Sequence, residues 1–154
     1  MDAIRIFISY SHHDTRRMRQ LLKFIQPLHR KGFDIWTDEC IATGELWHHS
    51  IKKAIATSHI AVVLVSIDFL NSAYCQDVEV GRFLLMRKSN GLVIYPIILS
   101  ACNWKDEEWL ASTHLQPRGG RTVEEHFGTR GARDRLFLNI HDELAEIGQQ
   151  LRAA

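Results

Sequence analysis

Apolar and polar residues alternate from Ala3 to Tyr10, with Ile4, Ile6 and Ile8 on one side and Arg5, Phe7 and Ser9 on the other. A period of two predicts a strand, and Phe7 on the second side implies burial on both faces. The period then lengthens. Met18, Leu21, Leu22, Ile25 and Leu28 recur at helical spacing, with Arg16, Arg17, Arg19 and Lys23 between them. Asp14 stands where an N-cap is expected, and Gly32 where a helix ends in left-handed backbone. Phe33 to Thr37 predicts a short strand, and Asp38 to Gly44 a loop. A second helix is expected over Glu45 to Thr57, with Leu46, Ile51 and Ile55 facing inward.

His59 to Ser66 is almost wholly apolar and β-branched, the pattern of a central parallel strand. Asp68 to Lys88 predicts a helix broken near Ser72. Leu92 to Leu99 predicts a fourth buried strand. Its Pro96 lacks an N–H for the ladder, which argues for an edge position or an interrupted ladder. Gln116 to Gly131 is rich in glycine and arginine and poor in apolar residues, and it predicts a long irregular loop, mobile or facing a partner. Arg133 to Leu151 closes the chain as a helix with Leu136, Phe137, Ile140, Leu144, Ile147 and Leu151 on one stripe.

Strands alternating with helices imply an α/β fold, a parallel sheet covered on both faces. Such sheets bind ligands beyond the carboxyl ends of their strands. That rule directs attention to Ser9–His13, Thr37–Gly44, Ser66–Cys75 and Ser100–Trp104. No repeat or linker divides the sequence, so a single domain over 1–154 is expected.

Composition narrows the class without supplying chemistry. At 154 residues, 45% hydrophobic and 24% charged, the chain has the make-up of a globular domain rather than a disordered segment or a disulfide miniprotein. A net charge of +1 gives no field for drawing in nucleic acid or an anionic membrane, and contact with neither is expected. The longest apolar run, Ile60 to Val65, falls far short of the roughly 20 residues that span a bilayer. The N-terminal residues lack both the basic start and the long apolar stretch of a secretion signal. The three cysteines, Cys40, Cys75 and Cys102, form no CxxC pair. A cytoplasmic, reducing location fits these features.

The candidate chemistry lies at the strand ends. Neither GxxxxGK nor GxGxxG follows the first strand. Instead, Ser9-Tyr10-Ser11-His12-His13-Asp14 offers hydroxyls and helix-start amides that either hold an anion or simply cap the turn. His12-His13 and His48-His49 are sequence neighbours, which point about 100° apart on a helix, and HExxH is absent, so no metal centre is expected. Cys75 has no nucleophile-elbow motif around it and reads as a small buried residue. Glu79 follows the most apolar strand on the next helix. At a cleft its carboxylate would stabilise a developing cation; facing away it is an ordinary solvated residue.

Taken together, these segments resemble the Toll/interleukin-1 receptor (TIR) domain family, in particular its bacterial branch. Phe7-Ile8-Ser9-Tyr10-Ser11 is similar to the family's opening box. Trp36-Thr37-Asp38 through Gly44-Glu45-Leu46-Trp47 resembles its second-strand aspartate and the loop after it. Ser66-Ile67-Asp68-Phe69-Leu70, with Ser72, Tyr74, Cys75 and Glu79, resembles the third-strand exit and the helix that carries the family's catalytic glutamate. Tyr95 to Leu99 with Cys102 and Trp104 resembles the fourth strand, and Phe137-Leu138-Asn139-Ile140 the last helix. The match runs over nearly the whole chain.

The resemblance implies a flavodoxin-like five-stranded parallel sheet. It also implies either of two activities. Many members cleave NAD at the nicotinamide–ribose bond, giving ADP-ribose or a cyclic isomer. Others are non-enzymatic adaptors, or virulence factors that act through TIR–TIR contacts. The first is expected here, with NAD as substrate and no cofactor. Glu79 takes the catalytic role, and Ser9, Tyr10, Ser11, His12, Asp38, Gly44, Trp47 and Tyr74 bind substrate. Trp47 could serve equally as a core anchor or as pocket wall. The resemblance further implies activation by homo-oligomer or filament formation, with the Asp38–Gly44 loop at the contact, a sensor domain or partner outside this chain, and a place in antiphage defence. One departure stands out. Many members read Trp-Cys-x-x-Glu, whereas here Tyr74-Cys75-Gln76-Asp77-Val78-Glu79 places the glutamate one residue later, a variant similar to bacterial members. Asp77 is therefore the second candidate carboxylate. A flavodoxin-like response regulator is disfavoured, because the first strand lacks paired acidic residues to hold magnesium.

Overall fold

The computed structural model describes residues 2–40 and 43–154; the side chain of Cys40 and residues 1, 41 and 42, the last two inside the expected Asp38–Gly44 contact loop, lie outside the described residues. Four parallel strands, β1 (Ile4–Ser9), β2 (Phe33–Trp36), β3 (Ile60–Val65) and β4 (Val93–Ile98), form one sheet in the order β2-β1-β3-β4. The registers Ile6↔Ile60 and Ile60↔Val93 start β3 and β4 level with each other and two residues into β1, and Ser9↔Val63 puts the end of β1 beside β3, two residues before β3 itself ends. All six residues of β3 are buried, as its unbroken apolar run requires.

The period of two sorts the sheet's side chains into two cores. Ile4, Ile6, Ile8, Val62 and Leu64 pack on one face against α1 (Thr15–Ile25) and α7 (Arg130–Ala153). Met18, Leu21 and Ile25 of α1 and Leu136, Phe137, Ile140 and Leu144 of α7 supply the helical half of that core. Phe7, Ala61, Val63, Val65 and Ile98 point to the other face. There α2 (Trp47–Ala56), α3 (Ile67–Asn71), a π-helical segment (Tyr74–Val80), α4 (Gly81–Asn90) and α5 (Glu108–Ala111) cover them. Gly148 is needed where α7 crosses β2, since a Cβ there would lie 2.1 Å from the Phe33 ring.

Five expectations are corrected. The resemblance implied five strands, whereas the described residues form a sheet of four. At the fifth position only Gln116 pairs with β4, through Ile98 N–H to Gln116 O at 2.8 Å and Gln116 N–H to Pro96 O at 3.0 Å. The chain bends at Pro117 and Arg118, so the pairing does not continue. Pro96 thus sits on the sheet's edge strand. Second, Gln116–Gly131 is not a wholly irregular loop. Gln116, Thr122 and Val123 are buried, Thr122 caps the short helix α6 (Val123–His126), and α7 begins at Arg130. Third, Leu46 is 76% exposed rather than inward, because α2 starts only at Trp47 and helical periodicity does not reach it. Fourth, Asp14 precedes α1 but makes no side-chain capping bond; its carboxylate instead accepts from the Ser66 hydroxyl at 2.5 Å, tying the exits of β1 and β3 together. Fifth, the break expected near Ser72 is present, after α3, but the helix beyond it opens with the π-helical segment before α4 instead of running as one regular helix. Among the described residues no helix is long and apolar enough to cross a membrane.

Candidate active site

In this strand order the chain leaves β1 toward one face of the sheet and β3 toward the other. The crevice between their carboxyl ends is the place where open α/β sheets bind ligands. A cavity of about 430 Å³ lies there, and Glu79 is on its wall. Glu79 is 7% exposed and accepts a hydrogen bond from the Ser9 hydroxyl at the last residue of β1. Burial pushes its pKa up from 4.5 to about 7. The Ser9 bond opposes that rise, the nearby Asp38 charge adds to it, and His12 opposes it. Ser9 is 1% exposed and supports Glu79 from behind rather than lining the cavity.

The two candidate carboxylates differ in where the backbone puts them. Cys75 and Glu79, four residues apart, are both buried, whereas Asp77 is exposed and off the cavity wall. They belong to the π-helical segment Tyr74–Val80. A π-turn closes over one residue more than an α-turn, and such turns are usually single and often functional. The segment therefore absorbs the extra residue that separates this sequence from the Cys-x-x-Glu spacing. It is anchored by Ser72, whose hydroxyl accepts from Cys75 N–H, and by Gln76, whose amide donates to Glu107 at 3.1 Å.

Two further groups shape the mouth. Asp38, in the turn after β2, accepts from the Tyr10 hydroxyl and contacts His12 Nε2 at 2.5 Å. Burial and the Asp38 bond together push the Tyr10 phenol well above its ordinary range. Trp47, at the start of α2, lies against Tyr74 with ring centroids 4.7 Å apart, and His48 Nδ1 sits 3.2 Å from the Tyr74 hydroxyl. Trp47 is 47% exposed, which makes it pocket wall rather than core anchor. Burial, and next the Glu79 charge, raise the Tyr74 pKa.

Of the residues singled out from sequence, Tyr10, Ser11, His12, Asp38, Trp47, Tyr74 and Glu79 converge on the cavity. Gly44 does not. It occupies an exposed turn with φ +92 and contributes backbone freedom rather than a wall. Sequence reasoning passed over His13, Ile51, Asp68, Asn71, Ser72 and Cys75, which also line the cavity. All but Ile51 fall in the two strand-end segments marked for inspection, so position was the available signal. Cys75 is buried as expected, and that burial raises its thiol pKa to about 11. Among the described residues no cluster of three or more His, Cys, Asp or Glu side chains is arranged to hold a metal.

A family model described as TIR domain matches residues 6–128. A protein of Sinorhizobium fredii named uncharacterized protein y4lF is 36% identical over 121 residues, covering 78% of this chain and 37% of that protein. The probable disease resistance protein RPP1 of Arabidopsis thaliana is 30% identical over 92 residues, covering 60% of this chain and 8% of that protein. The chain thus spans about a third of the length of the bacterial relative and under a tenth of the plant one. The TIR domains of the activated Roq1 resistosome, which recognises the pathogen effector XopQ, superpose with a TM-score of 0.66 at 18% identity, over 92% of this chain and 99% of that one.

Proposed function

The chain belongs to the TIR domain family, and from that premise we propose that it is an NAD glycohydrolase that cleaves the nicotinamide–ribose bond with Glu79 as its catalytic carboxylate. The observation that carries this reading is the placement of Glu79. It is buried at the crevice between β1 and β3, oriented by Ser9, and faces a cavity walled by Tyr74 and Trp47.

The chemistry fits one carboxylate. Nicotinamide in NAD is a cationic leaving group and departs neutral, so it needs no proton. A glycosidase acting on an oxygen leaving group needs a second carboxyl as acid. As the bond breaks, positive charge grows on the ribose. A fixed carboxylate in a water-poor crevice lowers the energy of that charge without having to reorganise. Water then attacks the ribose carbon to give ADP-ribose, or a nucleophilic nitrogen of the adenine closes a ring. Ser9 holds one Glu79 oxygen in place, and the Tyr74–Trp47 pair offers an aromatic face for the nicotinamide ring or the ribose.

Self-association through TIR–TIR contacts activates the enzyme on this reading, with Leu46 and Trp47, both largely exposed beside the pocket, at the contact. A cytoplasmic effector role in antiphage defence, under the control of a sensor outside these residues, extends the same reading. Nicotinamide release from NAD at high protein concentration tests it. Wild type and Asp77→Asn are expected to release nicotinamide, and Glu79→Gln is not. Loss in Asp77→Asn with retention in Glu79→Gln would reverse the assignment, and no release from a folded, concentrated wild type would favour the non-enzymatic adaptor.

A further inference from the structure

The cavity's charge is one-sided. Among the described residues Asp38, Asp68 and Glu79 line it, and no lysine or arginine does. The cationic groups near it are few. His12 is held by Asp38, Arg19 is spent on Glu39, and Arg82, whose charge is felt by Tyr74, is off the wall. His13 is the one remaining imidazole on the lining. Asp14, bound to Ser66 just behind, adds a fourth carboxylate whose pKa is raised first by burial and then, past the opposing Ser66 bond, by Asp68. The other polar lining groups, Ser11, Asn71 and Ser72, are neutral partners suited to ribose hydroxyls.

Resting on the reading of this cavity as the nicotinamide-ribose site, we infer that it selects its substrates by the charge on the group bonded directly to the ribose 5′ carbon, accepting a free hydroxyl or the singly charged first phosphate of a pyrophosphate and rejecting the more highly charged phosphate monoester. A clustered negative wall in a concave site focuses its field, so it favours the cationic pyridinium and repels nearby anions. A monoester carries about −1.5 to −2 charges on the phosphate bonded to the ribose at neutral pH, whereas that phosphate in the pyrophosphate of NAD carries about one, and the second charge of NAD lies one phosphate further from the wall. Nicotinamide riboside and nicotinamide mononucleotide contain the same scissile bond and differ only in that monoester. Their comparison isolates the wall's charge from the chemistry of bond cleavage.

The experiment measures kcat/KM for NAD, nicotinamide riboside and nicotinamide mononucleotide at a protein concentration that cleaves NAD. The riboside is expected to exceed the mononucleotide about tenfold or more at low salt, and the ratio is expected to shrink in about 1 M salt, where charges are screened within about 3 Å. Asp68→Asn, at an exposed position, is expected to shrink the ratio severalfold as well. A mononucleotide cleaved as well as the riboside, or a ratio unmoved by both salt and Asp68→Asn, while NAD is still cleaved, overturns the inference alone. Release from none of the three substrates overturns the glycohydrolase reading and the inference with it.

Discussion

On one face of the sheet, α1 and the 24-residue α7 lay two regular helices over Ile4, Ile6 and Ile8. On the other face, α2, α3, the π-helical segment, α4 and α5 cover Phe7, Ala61 and Val63 in short pieces. The first face buries apolar side chains and, in Tyr95, a phenol that is itself bonded to Glu143. The second ends at a crevice holding a buried carboxylate, a phenol tied to an aspartate, and a half-exposed tryptophan. Regular helices maximise contact and hydrogen bonding. A helix interrupted by a π-turn gives up some regularity to aim Glu79 inward, and such departures concentrate at functional sites. One face is built of regular helices, and the edge of the other carries the candidate site.

Substitutions that separate stability from activity break or sharpen this contrast. The largest stability loss is expected from Phe137→Ala on the α1–α7 face. This ring is 1% exposed and packs edge-on against Phe24, so urea denaturation should show a loss of about 3–5 kcal/mol. Gly148→Ala on the same face forces the Phe33 ring aside and should cost roughly 1–3 kcal/mol, with activity per folded molecule unchanged.

Glu79→Gln should move stability the other way, by an amount that depends on pH. Glu79 has a folded-state pKa of about 7 against an ordinary 4.5, so the folded protein binds its proton more tightly than the unfolded chain does. That contribution is complete below about pH 4.5 and is lost as pH rises through about 7. At pH 8 the neutral variant should therefore be more stable than wild type by roughly 1–3 kcal/mol, an advantage that fades at pH 5, as thermal melts at the two values would show. The smallest effect is expected from Leu46→Ser at the pocket rim, within about 0.5 kcal/mol in the same melts, because Leu46 is 76% exposed.

Much of this contrast was legible in the sequence. Alternation at Ile4–Ser9 and the apolar run at Ile60–Val65 identified the two central strands, and helical spacing identified the α1 and α7 stripes, because burial on a regular element leaves a regular period. The crevice residues at Ser9–His13 and Ser66–Cys75 followed from the rule for parallel sheets. What stayed hidden has no period. The π-turn is visible only as a spacing one residue too long between Cys75 and Glu79, and spacing alone left Asp77 as a rival. Asp14 looked like a cap because capping is local, whereas its real partner, Ser66, lies 52 residues away. Leu46 looked inward because the helix was begun two residues early. The fifth strand shrinks to a single bridge at Gln116, because the chain bends at the next two residues, and a bend of that kind has no period to read.

On the proposed reading, the buried carboxylate of Glu79 acts in its ionised form. The pH dependence of kcat/KM for nicotinamide release from NAD tests it most directly, since that profile reports groups of the free enzyme. The account predicts activity that rises with pH through a midpoint near the Glu79 value of about 7 and is absent from Glu79→Gln throughout. A profile flat across that range in wild type, or undiminished release by Glu79→Gln, would contradict it.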